Sequence, residues 1–253
     1  MSSPLSRRQF LKVSLLGLGL AAACTAWPVA AAEASGGQAR SEAVFKARPR
    51  QPVLALTFDD GLVNVARCLD ACKSLGLRLT LFPIGKAIES HPEIWQRALA
   101  EGHELGCHTY SHKPLGGQPY AAIAAELDKC MQVAQTYLSL TSMPYLRPPY
   151  GSGWNWAPLQ QAAGDYGMRL VMWNRTNDMD QFSAAPTWRE VKTAFGLEAR
   201  PGDIFLYHFR YQEVSALESI AELCAERGWH IGTVSQLLRA EQPAPAPSRP
   251  GCR

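Results

Sequence analysis

The chain has 253 residues, of which 47% are hydrophobic and 19% charged, a balance that suits one globular domain with a sizeable core and excludes a disordered or fibrous protein. Its formal net charge is +3, and that excess sits within residues 1–32, where Arg7, Arg8 and Lys12 are accompanied by no acid. Beyond them 22 basic residues balance 22 acidic ones, which speaks against nucleic acid as a partner.

Ser6-Arg7-Arg8-Gln9-Phe10-Leu11-Lys12, the apolar run after it and the small residues Ala30-Ala31-Ala32 resemble a bacterial twin-arginine export signal spanning residues 1–32. The resemblance implies export of an already folded protein to the periplasm or beyond, with no stable membrane insertion once the signal is removed. Two other readings stay open. The stretch from Val13 to Ala32 is nearly long enough to serve as an uncleaved anchor, although Gly17 and Gly19 weaken it. Cys24 is a lipidation candidate, with Leu20 one place too far from it for a good match. Residues 33–50 read as a flexible leader and 241–253, with four prolines, as a disordered tail, leaving 51–240 as the folded domain.

Within that domain short apolar runs alternate with longer segments of helical pattern. Strands are predicted near 53–58, 78–84, 104–107, 144–147, 169–173, 203–208 and 229–233, and helices near 63–75, 86–101, 119–139, 157–166, 187–198, 213–227 and 235–240. His91-Pro92-Glu93 breaks the second helical segment near its start, while Gly76, Gly102, Gly167 and Gly228 fall just past helix ends, where a left-handed residue is wanted. Such alternation implies a parallel sheet covered by helices, and seven strands in one domain lean toward a barrel. Six cysteines follow the signal, at 68, 72, 107, 130, 224 and 252. They either pair in an oxidising compartment or stay as buried thiols. Cys68 and Cys72 share a helical face without a His partner, which argues against a zinc knuckle.

The polar residues gather at strand ends. Val53 to Thr57 is an apolar run that stops at Asp59 and Asp60, His108 ends the third strand, Arg147 the fourth, Trp173 and Asn174 the fifth, and His208 the sixth. In α/β barrels that rim is where active sites form. Taken alone, the Asp pair reads more simply as a cap on the next helix. Neighbouring strand side chains point to opposite faces, so the two acids converge only if the strand is already turning. His108 and His112, four apart, share one face if their segment takes a helical turn, and two His with a carboxylate form a ligand set for a catalytic zinc. His91, His103 and His230 have no such company and read as structural.

Thr57-Phe58-Asp59-Asp60-Gly61, His108-Thr109-Tyr110-Ser111-His112, Arg147-Pro148-Pro149-Tyr150 and Leu206-Tyr207-His208 occur in the order and rough spacing of the polysaccharide deacetylases. The stretch Glu101-Gly102-His103-Glu104-Leu105-Gly106 is similar as well. Residues 52–239 thus resemble these NodB-like carbohydrate esterases, whose fold is a single-domain α/β distorted (β/α)7 barrel. The resemblance implies a metal-dependent hydrolase that removes N-acetyl groups from an N-acetylglucosamine-containing polymer or oligosaccharide, such as peptidoglycan or chitin. It gives Asp60, His108 and His112 to a divalent metal, usually zinc, and the role of general base to Asp59. Arg147 would order that base, Tyr150 would offer its backbone N–H to the oxyanion, His208 would protonate the leaving nitrogen and Leu206 would touch the acetyl methyl.

One motif departs from the family pattern. After the fifth strand the family has Asp-x-x-Asp-Trp, where an Asp tethers the catalytic His. Here the segment reads Trp173-Asn174-Arg175-Thr176-Asn177-Asp178-Met179-Asp180; Asp178 is the expected tether, Asp180 the alternative, and the groove-wall Trp is absent or replaced by Met179. Trp154, with Trp156 beside it, is a candidate sugar-stacking surface, the alternative being simple packing. The departure leaves two other functions in play: the same metal chemistry on an ester, formamide or cyclic amide, and a carbohydrate-binding homologue without catalysis.

Overall fold

The computed structural model describes residues 40–176 and 187–241. Its central strand, β1 (Val53–Asp60), is buried at every position but the last, as a strand covered on both faces must be. There follow α1 (Val65–Leu75), β2 (Thr80–Pro83), α2 (Gly85–Ser90), α3 (Pro92–Ala100), β3 (Glu104–Leu105), α4 (Tyr120–Leu138), β4 (Tyr145–Leu146), α5 (Ala157–Asp165), β5 (Arg169–Leu170), β6 (Arg175–Thr176), α6 (Trp188–Glu198), β7 (Ile204–His208), α7 (Tyr211–Glu226), β8 (His230–Gly232) and α8 (Val234–Glu241). Strand order is β3-β2-β1-β7-β6, with β8 also on β1, and every pairing is parallel. β4 and β5 form a second parallel pair, reached from the end of β3 through a bridge between Cys107 and Leu146. This is the expected α/β fold in one domain.

Alternation along β1 decides what faces the site. Leu54, Leu56 and Phe58 join the larger core with residues of α1, α3, α4 and α7, whereas Val53 and Ala55 join a smaller one with Phe82, Val171 and Ile204. Period two then carries Thr57 and Asp59 onto the Val53–Ala55 face. The pairing of β1 with β7 sets Asp59 opposite His208, so two predicted catalytic residues are neighbours by register.

The predicted elements are present, most strands being shorter than their apolar runs. Pro92 starts a new helix, so the second segment divides into α2 and α3 at His91, and all four helix-ending glycines have positive φ. Two features differ from expectation. β6 is an additional strand, held to β7 because Asn174 Oδ1 accepts the Ile204 N–H at 2.9 Å and Asn174 Nδ2 donates to Asp203 at 2.7 Å. Residues 43–47, counted with the flexible leader, are docked instead. Val44 bridges Val171, Lys46 bridges Asp203, and Val44 and Ala47 are buried in the smaller core. Their backbone groups explain the docking, since Val44 and Ala47 donate to Leu170 and Gly202 and Val44 accepts from Met172. Cys68, Cys72, Cys107, Cys130 and Cys224 are buried free thiols; Cys252 and residues 1–32, expected to be an export signal, lie outside the described residues. Among those residues no helix is long and apolar enough to cross a membrane.

Candidate metal and catalytic site

Asp59 is 3% exposed and is held by Arg147, which is buried completely. Nη1 of Arg147 donates to Asp59 Oδ1 at 2.8 Å and to Thr57 Oγ1 at 2.6 Å, Nε to the Val171 carbonyl at 3.0 Å and Nη2 to the Met172 carbonyl at 3.0 Å. Thr57 Oγ1 in turn donates to the Phe205 carbonyl at 2.6 Å, and the guanidinium lies 4.1 Å above the Phe82 ring. The pair is not joined by two parallel bonds. One nitrogen meets one carboxylate oxygen, because the rest of the fork is committed to Thr57 and two carbonyls. Burial pulls the Arg147 pKa down, opposed by the adjacent Asp59 carboxylate. Asp59 Oδ2 is left facing His108 Nε2 at 3.8 Å.

Asp60 would point away from Asp59 on an extended strand. Its φ of 73° turns it back, and Gly61 follows at φ 80° with no room for a side chain: a Cβ there would lie 2.3 Å from Trp95 Cζ2. Asp60 Oδ1 then sits 3.5 Å from His108 Nε2 and 3.1 Å from His112 Nε2, without the alignment of a hydrogen bond. Burial alone would raise the Asp60 pKa, but the two imidazoles more than reverse it and hold the carboxyl well below the usual range.

The His pair converges by a different route from the one its spacing suggests. Residues 108–112 are not helical; Thr109 and His112 have φ of 65° and 62°, a left-handed loop that brings both rings to Asp60 with centroids 5.0 Å apart. The Arg147 carbonyl lies 2.7 Å from His108 Nδ1, so Nδ1 carries the proton and Nε2 presents a lone pair to the cluster. Ligand atoms of Asp60, His108 and His112 all lie within 4.8 Å of one another. Two imidazole nitrogens and a carboxylate oxygen, aimed together, fit a divalent cation.

These groups line one cleft of about 410 Å³ with Tyr150, Trp173, Thr176, Leu206, His208 and Arg210. His208 Nε2 stands 3.8 Å from Asp60 Oδ2. Residues 46–171 match the family model described as polysaccharide deacetylase. The chain belongs to this family. Among deacetylase relatives, it is 28% identical over 195 residues to the Bacillus cereus peptidoglycan-N-acetylglucosamine deacetylase, covering 75% of this chain and 89% of that protein. It is also 28% identical over 190 residues to the Listeria monocytogenes peptidoglycan-N-acetylglucosamine deacetylase PgdA, covering 73% of this chain but only 38% of that longer protein. A solved peptidoglycan N-acetylglucosamine deacetylase superposes with a TM-score of 0.71 at 24% identity, over 79% of this chain and 94% of the other.

For a polysaccharide deacetylase the strand ends carry most of the expected set together. Asp59, Asp60, His108, His112, Tyr150, Leu206 and His208 line the cleft, with Arg147 behind Asp59. Tyr150 has φ 59° in the turn Pro149–Gly151, and its exposed ring stacks obliquely on His112 at 4.7 Å. Trp154 is not among the lining residues; its ring meets Phe45 edge-on at 5.0 Å, and the indole N–H of Trp156 donates to Gln118. Asp178, the expected tether of His208, and its alternative Asp180 fall outside the described residues.

Trp173, expected only as the end of the fifth strand, is an aromatic wall of the cleft. Two contributors escaped the sequence reading. Arg210 brings a cation to the cleft, 3.8 Å from Glu213. Glu213, buried in the first turn of α7, accepts the His208 backbone N–H at 2.5 Å. The first-turn position of Glu213 was the available signal, since a carboxylate suits a helix N-terminus.

Proposed function

We propose that this chain is a metal-dependent hydrolase that removes N-acetyl groups from an N-acetylglucosamine-containing polymer such as peptidoglycan, acting after export through its twin-arginine signal. The observation that carries the reading is the meeting of an Arg-held carboxylate, a three-ligand cluster and a histidine in one cleft. Its relatives' names point to the same substrate class. Zinc is the metal we propose, because three protein ligands leave positions open for water and substrate. A divalent ion held by Asp60, His108 and His112 would polarise the acetamide carbonyl and acidify a water molecule.

The chain's own residues supply the proton transfers. Asp59 Oδ1 is tied to Arg147, so Oδ2, on the cluster side, is the oxygen that accepts the proton of the attacking water. Arg147 keeps that carboxylate oriented. His208, on the neighbouring strand end, protonates the departing sugar nitrogen. The Tyr150 backbone N–H is offered to the oxyanion, a contribution of about 3 kcal/mol by comparison with other such donors, and Leu206 packs on the acetyl methyl.

The test is acetate release from N-acetylglucosamine oligomers, chitin and peptidoglycan by zinc-loaded protein. Release by the wild type and its loss in Asp59→Asn, with metal retained, is the expected result. If the wild type releases nothing from any of them, the reading is wrong. The departure after the fifth strand favours one second reading, the same chemistry on an ester, formamide or cyclic amide. A panel including acetylated xylan and a formylated amino sugar separates the two. A binding protein without catalysis would show wild type and Asp59→Asn behaving alike.

A further inference from the structure

We infer that Glu126, on α4, is a positioning residue for the metal centre: its carboxylate fixes the backbone of Tyr110 and Ser111 and so aims His112 at Asp60 and His108. The inference rests on the metal reading of that cluster.

The loop from His108 to His112 contains two residues in the left-handed region, each of which costs on the order of 1 kcal/mol or more outside glycine. Something must hold it there, and its polar groups show what does. The Thr109 and Tyr110 carbonyls accept from Gly85 at 2.9 Å and Lys86 at 3.1 Å, at the start of α2. The His112 N–H donates to Thr109 Oγ1 at 3.2 Å. The Tyr110 hydroxyl donates to Glu89 at 2.8 Å, and three further donors of the loop converge on one side chain. Glu126 Oε2 accepts the N–H groups of Tyr110 at 3.2 Å and Ser111 at 2.8 Å, and Oε1 accepts the Ser111 hydroxyl at 2.6 Å. Lys113 Nζ approaches the same Oε1 at 3.9 Å.

Glu126 can do this because α4 is anchored in the core. Ile123, Leu127 and Cys130, on either side of it along the helix, are fully buried in the larger core. The carboxylate is therefore a fixed point against which a strained loop is registered, fifteen residues away in sequence. Ionised carboxylate is the group that suits three converging donors, since both its oxygens accept. An amide would turn an NH2 toward one set of them. Supporting contacts of this kind commonly govern metal affinity as strongly as loss of about 10- to 100-fold on removal.

The experiment measures zinc affinity by competition with a chromophoric chelator, and the visible spectrum of the cobalt-loaded protein, for wild type, Glu126→Gln, Glu126→Ala and Tyr166→Phe. Tyr166 supplies the control because its hydroxyl bonds to Asp128 and the Ala124 carbonyl on the same helix without touching the loop. Glu126→Gln, close in shape, keeps the test valid if Glu126→Ala does not fold. Zinc affinity should fall about 10- to 100-fold in the Glu126 variants, with a broadened cobalt spectrum, while Tyr166→Phe binds as wild type even if it melts earlier. Zinc affinity within about twofold of wild type in both Glu126 variants, against the usual supporting-contact loss, overturns the inference. So does an equal loss in Tyr166→Phe, which would reduce Glu126 to a general stabiliser. A wild type that takes up neither zinc nor cobalt overturns the metal reading itself.

Discussion

Arg147 couples stability to the proposed chemistry in a single side chain. Complete burial of a guanidinium is tolerable only because each edge of the fork finds an acceptor. Arg147→Ala would strand the Asp59 carboxylate and two carbonyls in the interior, and a loss of about 3–5 kcal/mol in urea denaturation is expected. Arg147→Lys keeps the charge but not the fork, so it should fold better than the alanine variant and still lose turnover. His103 gives a separate prediction at this scale. It is buried, its Nδ1 accepts the Leu79 N–H at 3.2 Å, and burial lowers its pKa. The neutral form is thus the native one, while the unfolded chain takes up a proton near pH 6.5, so stability should fall as pH drops below that value, by at most about 1.4 kcal/mol per pH unit from this group. Asn offers an acceptor that cannot be protonated; His103→Asn should flatten the decline measured between pH 7 and pH 5.

At the scale of elements, the end of β1 shows what a sequence discloses and what it withholds. The apolar run, its abrupt stop at two acids and the period-two pattern place Asp59 on the inner face by inspection. The turn of Asp60 is legible only as a requirement, because nothing in its identity announces a φ of 73°. The His loop is ambiguous for a related reason: a spacing of four is the signature of a helical turn, and it equally suits a loop with two left-handed residues. β6 stayed hidden because Asn174-Arg175-Thr176 has no apolar alternation, and the Asn174 side-chain amide that reinforces its pairing with β7 leaves no periodic signal. Docking of residues 43–47 was invisible because Ala43-Val44-Phe45 is an apolar run of only three residues, set between Glu42 and Lys46 and too short to signal a strand. Gly61 is the element's fixed point, being pinned by both its φ and Trp95. Gly61→Ala should cost about 1–3 kcal/mol through backbone strain and overpacking, read as a lowered melting temperature, and should weaken metal binding by shifting Asp60.

For the whole molecule, the question is how far the cluster contributes to the fold that builds it. Strand β1 sits at the centre of the sheet, with β7 and β2 beside its C-terminal half, so Asp60 and His208 are fixed by the core while His112 depends on a loop. An ion bridging Asp60 to that loop would join the two. Anything that binds the native state alone stabilises it by mass action, by about 2.7 kcal/mol when the free ligand is a hundredfold above its Kd. For a domain of this size that corresponds to a rise of roughly 5–10 °C in Tm. Thermal melts of chelator-stripped protein should therefore rise on adding zinc, and those of Asp60→Asn and His112→Ala should not. Equal rises in wild type and both variants would place the stabilising ion elsewhere and remove the support that this cluster gives to a metal-dependent reaction.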